Sequence, residues 1–303
     1  MQSNFRKGVS FALSAAALNA TIGVLSKVLM SNGFTSSSVA VIKTILGCIL
    51  LSIVLLFLKR PTSAAKWRQA AICAFLGIFV LFHFETSAYR HYAAADVVVV
   101  LMASASISSI ILGRLLLKDA ITANATVGAA LAISGIAVIF GGDLQQGFTL
   151  QGAALASVAG CGYGAFSVAM KKMGVSGGLH LTRQLLFFGS LYLLMPAAAD
   201  GFVIGELSST AIAALLALAA LPTILGFFCT TKAIEYLKPS QVQALELTEP
   251  LFAALLAFVV LNEIPRESLY LGAALIIVGL CFSNELIRLG HKAPAQAERV
   301  SRS

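Results

Sequence analysis

Glu246 and Glu249 stand inside "ALELTEPLFAALLAFVV" (244–260), a stretch that otherwise avoids water, and Pro250 follows at once. Residues three apart lie on neighbouring faces of one helix. Ser240 and Gln243 continue the same row. An acid pair in such surroundings suits two tasks, binding a substrate amine or carrying a coupling proton. The structural alternative is an ion pair of Glu246 with Lys238 or Arg183. An ionised acid at the centre of a membrane helix costs about 2.5–3.5 kcal/mol on insertion scales. These groups are therefore expected to face a bundle interior or a wet cavity. Pro250 removes one backbone hydrogen bond and crowds the preceding turn. It is expected to kink the helix, either to help form a cavity or as a static bend.

Other polar residues in apolar surroundings join these. "FHFETSAYRHY" (82–92) sets His83 and Glu85 among aromatic rings. His83 can bind substrate or sense protons, or be a satisfied buried histidine; Glu85 can instead pair with Arg90. "AGCGYGAFS" (159–167) combines Gly160, Gly162 and Gly164 with Tyr163. The glycines permit close packing or a hinge, and Tyr163 is a candidate cavity aromatic. Lys43 and Arg183 are isolated cations within apolar runs. Either can attract a substrate carboxylate, neutralise a nearby Glu, or snorkel to an interface.

The elements that position these residues follow from composition. The chain has 303 residues, 58% hydrophobic and 11% charged, with mean hydropathy +0.91. Soluble domains carry about 25% charged residues, so this is the composition of an integral membrane protein. A membrane-spanning helix needs about 20 mostly apolar residues. Ten segments qualify: 9–30, 36–58, 69–90, 95–117, 122–140, 151–171, 179–199, 209–231, 240–261 and 266–287. The linkers are short and rich in Gly, Pro, Asn and Asp. The first run continues past "ALNA" to Met30, longer than a signal-peptide core, and reads as a retained span. The tail 288–303 reads as disordered.

Basic residues set the direction. With the N-terminus in the cytoplasm, sixteen of the 21 Lys and Arg fall on that side, two outside, and three within spans. Positive charge favours the cytoplasmic side, so both termini are expected there, in a cell inner membrane. The net charge of +8 is topological and does not point to nucleic acid. The five cysteines lie in separate apolar runs and form neither a disulfide framework nor a metal site. There is no P-loop, no H-E-x-x-H and no G-x-S-x-G. The residues imply no metal, no cofactor and no enzyme, an intramembrane enzyme being the reading of another class that they least support.

The chain also repeats itself. Shifted by 144, "FETSAYRHYAAADVVVVL" from Phe84 falls on "FCTTKAIEYLKPSQVQAL" from Phe228. Residues 84–136 align without a gap, with 13 of 53 positions identical, ending on "GAALAISG" (128–135) over "GAALIIVG" (272–279). Five spans per copy is an odd number, so the second copy enters the membrane from the opposite side. Inverted repeats recur in secondary transporters, with the substrate site near the midplane. The scaffold matches while the polar chemistry differs. Glu246 falls opposite Met102, Glu249 opposite Ala105, Glu85 opposite Cys229, and Tyr163 opposite Asn19.

"LTEPLFAALLAFVVLNEIP" followed by "LGAALIIVGL" resembles the end of an EamA-type domain of the drug/metabolite transporter superfamily. "VVLMASASISSIILGRLLLKDAIT" followed by "VGAALAISGI" resembles its first copy. The chain is most similar to the bacterial aromatic amino-acid exporter (YddG-type) branch. The resemblance implies an all-α membrane fold of ten helices in two inverted five-helix repeats, at 8–141 and 150–287. It implies export of a small molecule, an amino acid or another amphipathic metabolite, across the lipid bilayer by a monomer or homodimer. A multidrug or other metabolite exporter is the alternative. Ala105-Ser106 stands where many relatives carry a second proline, which puts a symmetric kink mechanism in doubt.

Overall fold

The computed structural model describes residues 2–58, 65–91, 94–120, 122–140, 149–261 and 267–283. The expected tail at 288–303 and the linkers at 59–64, 141–148 and 262–266 lie outside the described residues. Among the described residues all regular structure is helical.

Helix α1 (Gln2–Asn19) runs through Ala20 into α2 (Thr21–Ser31), and α3 (Ser36–Leu58) follows. Helix α4 (Trp67–Ala74) widens into a π turn, Phe75–Val80, before α5 (Leu81–Ala88). Helices α6 (Ala94–Leu112), α7 (Ala123–Phe140), α8 (Leu150–Lys172) and α9 (Leu179–Ala199) come next. Helix α10 (Ser209–Leu218) passes through a second long π turn, Ala219–Gly226, into α11 (Phe227–Tyr236). Helices α12 (Pro239–Glu246), α13 (Glu249–Leu261) and α14 (Glu267–Ser283) complete the chain.

Six stretches, among the described residues, are long and apolar enough to cross a membrane. They are Ser3–Ser31, Ser36–Leu58, Trp67–Ala88, Val97–Leu117, Leu150–Lys172 and Ser209–Tyr236. Large apolar side chains face outward, as with Leu56 and Phe57 on α3 and Met195 on α9. Lys43, Glu85, Thr230, Gln243, Glu246 and Glu249 face inward. A soluble protein sorts its residues the other way. This arrangement suits a bundle whose solvent is lipid.

The 144-residue repeat reappears as geometry. The π turns begin at Phe75 and Ala219, and α7 and α14 begin at Ala123 and Glu267, each pair 144 apart. Packing follows the same rule. Helix α5 lies on α8 while α11 lies on α1, and α7 lies along α14. The α6–α8 contact is far more extensive than its counterpart between α1 and the α12–α13 segment.

Two glycines explain that difference. A Cβ on Gly160 would run into the carbonyl of Leu101, and one on Gly164 would meet the carbonyl oxygen of Ala105. Spaced by four, they share the face of α8 that touches α6. Small residues on one face let helix backbones approach closely in lipid. Gly135 does the same for α7, set against the carbonyl of Gly272 on α14.

Hydrogen bonds tie the linkers at both ends of the bundle. At one end the Glu206 N–H donates to the Asn32 carbonyl at 2.8 Å. There the Ser208 hydroxyl reaches Asn32 Oδ1 at 3.0 Å, and the Val203 N–H reaches Ser38 Oγ at 3.1 Å. At the other end Ala65 and Gln184 exchange two bonds of 3.1 and 3.0 Å, and Gln69 donates to the Met173 carbonyl at 3.2 Å.

The glycine contacts generate a stability prediction. Gly160→Ala is expected to cost about 1–3 kcal/mol, the usual penalty of overpacking. Cys161→Ala, at an exposed position, is expected to change stability by less than about 0.5 kcal/mol. Chemical unfolding of the detergent-solubilised protein checks both.

Candidate functional site

The interruption of the α12–α13 segment sets up the site. Pro250 has no N–H, so the carbonyl of Glu246 loses its helical partner four residues on. The chain tightens instead. The Thr248 N–H bonds the Leu245 carbonyl at 3.2 Å, and the Leu251 N–H bonds the Thr248 carbonyl at 3.0 Å. Leu247 and Thr248 form a turn between the two helices. Glu246 therefore ends α12 and Glu249 begins α13. Both side chains are buried, 0% and 1% exposed. Glu246 does not find the ion pair weighed from the sequence, since Lys238 instead approaches Asp119 at 3.9 Å and Arg183 is not among the charges acting on it.

Glu246 is reached by a chain of hydroxyls. Thr230 on α11 donates to Glu246 Oε1 at 3.1 Å, and the Tyr163 hydroxyl on α8 lies 3.1 Å from Thr230 Oγ1. With the Thr230 hydrogen committed to the acid, Tyr163 is the donor in the second bond. One turn further along α8, Ser167 bonds the Tyr163 carbonyl at 3.1 Å and accepts from Gln243 at 3.0 Å. Three helices, α8, α11 and α12, meet on one polar thread.

Glu85 on α5 takes the hydroxyl of Tyr89, not Arg90, at 2.9 Å. Glu249 lies within electrostatic range of both Glu85 and Glu246. Lys43 is fully buried, its ammonium 3.8 Å from the centre of the Phe82 ring, and it interacts electrostatically with Glu85. Phe82 meets Phe227 at 5.3 Å between centroids, Phe227 meets Phe166 at 6.0 Å, and Phe166 stacks on Tyr163 at 6.3 Å. An aromatic wall thus runs from the cation to the hydroxyl thread. Lys43 Nζ and the Oε2 atoms of Glu85, Glu246 and Glu249 have no hydrogen-bond partner. Polar groups buried without partners are costly, and four of them converge here.

The remaining candidates lie elsewhere. His83 is half-buried, stacked on Phe79 at 5.8 Å, with Asp200 as the charge that acts on it. Residues 83 and 85 sit on different faces of their helix, so only Glu85 enters the cluster. Arg183 is half-buried beside Cys48, and its charge is absent from those acting on Glu85, Glu246 and Glu249. Gly160 and Gly164 pack on α6, and Gly162 faces Val80 of the first π turn. All three sit in the unbroken helix α8.

Thr230 and Tyr89 were not singled out in the sequence. Thr230 is identical to Thr86 in the first copy, and matched positions read as scaffold. The available signal was register, because Thr230 is a polar residue on the face of α11 that carries the buried Phe227 and Ile234. Thr86 is also fully buried, yet its hydroxyl has no partner. Its copy has Met102 and Asn19 where the second has Glu246 and Tyr163.

The EamA-like transporter family matches residues 6–141 and 150–284. The chain belongs to that family. This EamA-like transporter is a multi-pass membrane protein, and the family match covers both halves of the chain. A relative from Streptantibioticus cattleyicolor (strain ATCC 35852 / DSM 46488 / JCM 4925 / NBRC 14057 / NRRL 8057), described as a probable terminal-alkyne amino-acid exporter, is 30% identical over 187 residues. That match covers 61% of this chain and 62% of the relative's length. A solved crystal structure, 17% identical, superposes with a TM-score of 0.74 over 92% of this chain and 99% of the other. At that identity the likeness is one of fold.

The hydroxyl thread yields a double-mutant test. Thr230→Val removes the donor to Glu246 Oε1 and the acceptor of the Tyr163 hydroxyl, at an expected cost of about 1–3 kcal/mol. Tyr163→Phe is expected to cost about 1 kcal/mol. Together they are expected to cost less than the sum, by more than about 0.5 kcal/mol. Unfolding free energies of the four proteins measure it, and plain additivity would show the thread to be absent.

Proposed function

We propose that this protein is a secondary transporter that exports small amphipathic metabolites from the cytoplasm, amino acids with aromatic or apolar side chains foremost. It spans a bacterial inner membrane ten times with both termini inside. It works by alternating access between two inverted repeats at 8–141 and 150–287.

One observation carries the reading. Three carboxyl groups and one ammonium are buried together beside four aromatic rings, each with an unpaired polar atom. Acids and cations inside a membrane bundle mark substrate and ion pathways. The groups come from helices of both repeats: Lys43 and Glu85 from the first, Tyr163, Glu246 and Glu249 from the second. Relative motion of the halves would change their spacing, as alternating access requires. The exporter of amino acids among the relatives supports the substrate class. The Phe82–Phe227–Phe166 wall supports preference for an apolar or aromatic side chain. A multidrug exporter would take amphipathic cations at the same acids, but the buried Lys43 ammonium opposes a purely cationic ligand.

The test is counterflow in proteoliposomes loaded with unlabelled amino acids and supplied with labelled ones outside. Phenylalanine, tyrosine, leucine and valine are expected to exchange faster than in empty liposomes. Glu249→Gln is expected to slow exchange at least about tenfold, a loss of about 1.4 kcal/mol in transition-state stabilisation. Its thermal unfolding should stay close to that of the native protein. Absence of counterflow for every amino acid would end the amino-acid version of this reading.

A further inference from the structure

Arg183 is a charge without a counter-charge. It sits one turn into α9, half-buried on the seam with α3. There its carbonyl meets Cys48 Sγ at 4.0 Å, and its guanidinium acts electrostatically on that thiol. A guanidinium does not shed its proton in a protein. Among the described residues it has no ion pair, and its side chain donates no hydrogen bond.

Two more cations stand beside it. Ala65 exchanges two hydrogen bonds with Gln184, the residue after Arg183. That contact brings Lys66 and Arg68, at the start of α4, to the foot of α9, and α4 packs along α9. Lys66 is half-buried and Arg68 exposed, and neither side chain is paired among the described residues. The acids described at this end are already matched, Glu235 with Lys232 at 2.9 Å and Asp119 with Lys238 at 3.9 Å. The linker "KRPTSA" (59–64) contains no acid.

The surroundings are apolar and face outward. Phe187 lies one turn beyond Arg183 on the same side of α9. It is exposed, as are Ile49 and Ile53 on α3. The exposed Trp67 meets Phe187 edge-on at 6.0 Å and Phe188 at 5.4 Å. Tryptophan collects at the boundary between hydrocarbon and headgroups. A cation one turn from such a ring contact lies where lipid phosphates are.

We propose that Lys66, Arg68 and Arg183 form a site for the headgroup phosphate of an anionic phospholipid, whose acyl chains lie along Phe187, Ile49 and Ile53.

A guanidinium holds a phosphate through two parallel hydrogen bonds. Basic pockets between membrane helices take anionic headgroups by this chemistry. A free phosphate ion answers the charges but not the apolar faces beside them, whereas a phospholipid answers both. A zwitterionic headgroup brings an ammonium to three cations and meets no unmatched acid among the described residues. Discrimination between anionic and zwitterionic lipid is therefore the signature of this arrangement. The site lies on the outside of the bundle and does not depend on what the buried acids receive.

The experiment follows thermal unfolding of the full chain in detergent with one of three additions: dioleoylphosphatidylglycerol, dioleoylphosphatidylethanolamine or inorganic phosphate. A ligand that binds only the folded state raises its unfolding temperature. Phosphatidylglycerol is expected to raise it by about 3 °C or more beyond phosphatidylethanolamine. Inorganic phosphate is expected to leave it unmoved. Arg183→Gln is expected to lose most of the phosphatidylglycerol increment. Lys7→Gln is expected to keep it, since Lys7 is exposed on α1, which packs on α11 and α12. Should Arg183→Gln fail to fold, Lys66→Gln is expected to lose part of the same increment. Equal stabilisation by the two lipids, an equal shift with inorganic phosphate, or equal loss in Arg183→Gln and Lys7→Gln would each overturn the assignment.

Discussion

Ionisable groups where water does not reach are the constraint on which this structure depends. Glu85, Glu246, Glu249 and Lys43 are each at most 2% exposed. A charge in such a place must be paired, neutralised or met by a ligand. The surrounding helices are arranged accordingly. The thread from Tyr163 through Thr230 and the bond from Tyr89 each satisfy one oxygen, and the Phe82 ring faces the ammonium. The remaining atoms stay open. A protein selected for stability alone would fill these positions with apolar residues, as the first copy does when it places Met102 opposite Glu246 and Ala105 opposite Glu249.

The two repeats use the same helices for different ends. On one side Gly160 and Gly164 seat α8 against the backbone of α6, and neither helix is interrupted there. On the other, α1 meets a segment cut in two at Leu247 and Thr248. The close seam is rigid because backbone rests on backbone. The open seam carries the acids. Chemistry and rigidity are thus separated between halves that share one plan, and Pro250, present in one copy only, marks the boundary.

Much of this was legible in the chain. Apolar runs and the 144-residue repeat gave the helical membrane architecture, because lipid forces every span to be apolar and every backbone group to be satisfied within its helix. The acids stood out because their surroundings made them expensive. What stayed hidden depended on which way side chains turn. His83 and Glu85 look equivalent in sequence, yet a helix rotates two neighbours-but-one to different faces. Arg183 is an isolated cation in an apolar run just as Lys43 is, but it points into the α3–α9 seam. Thr230 was hidden by its match to Thr86, since identity in both copies concealed a difference in environment. The π turns at Phe75 and Ala219 leave no mark in composition.

The linker bonds at the two ends of the bundle bear on energy. Asn32 and Ser38 make three of the bonds at one end, where Ser37 also bonds Asp200, and Gln184 and Gln69 make three of those at the other. A net hydrogen bond contributes about 0.5–1.5 kcal/mol, so releasing one end costs a few kcal/mol. That is the size of the differential binding energy a small ligand can supply to shift a two-state equilibrium. Under the alternating access proposed above, closures of this size are ones that the binding of a single molecule offsets.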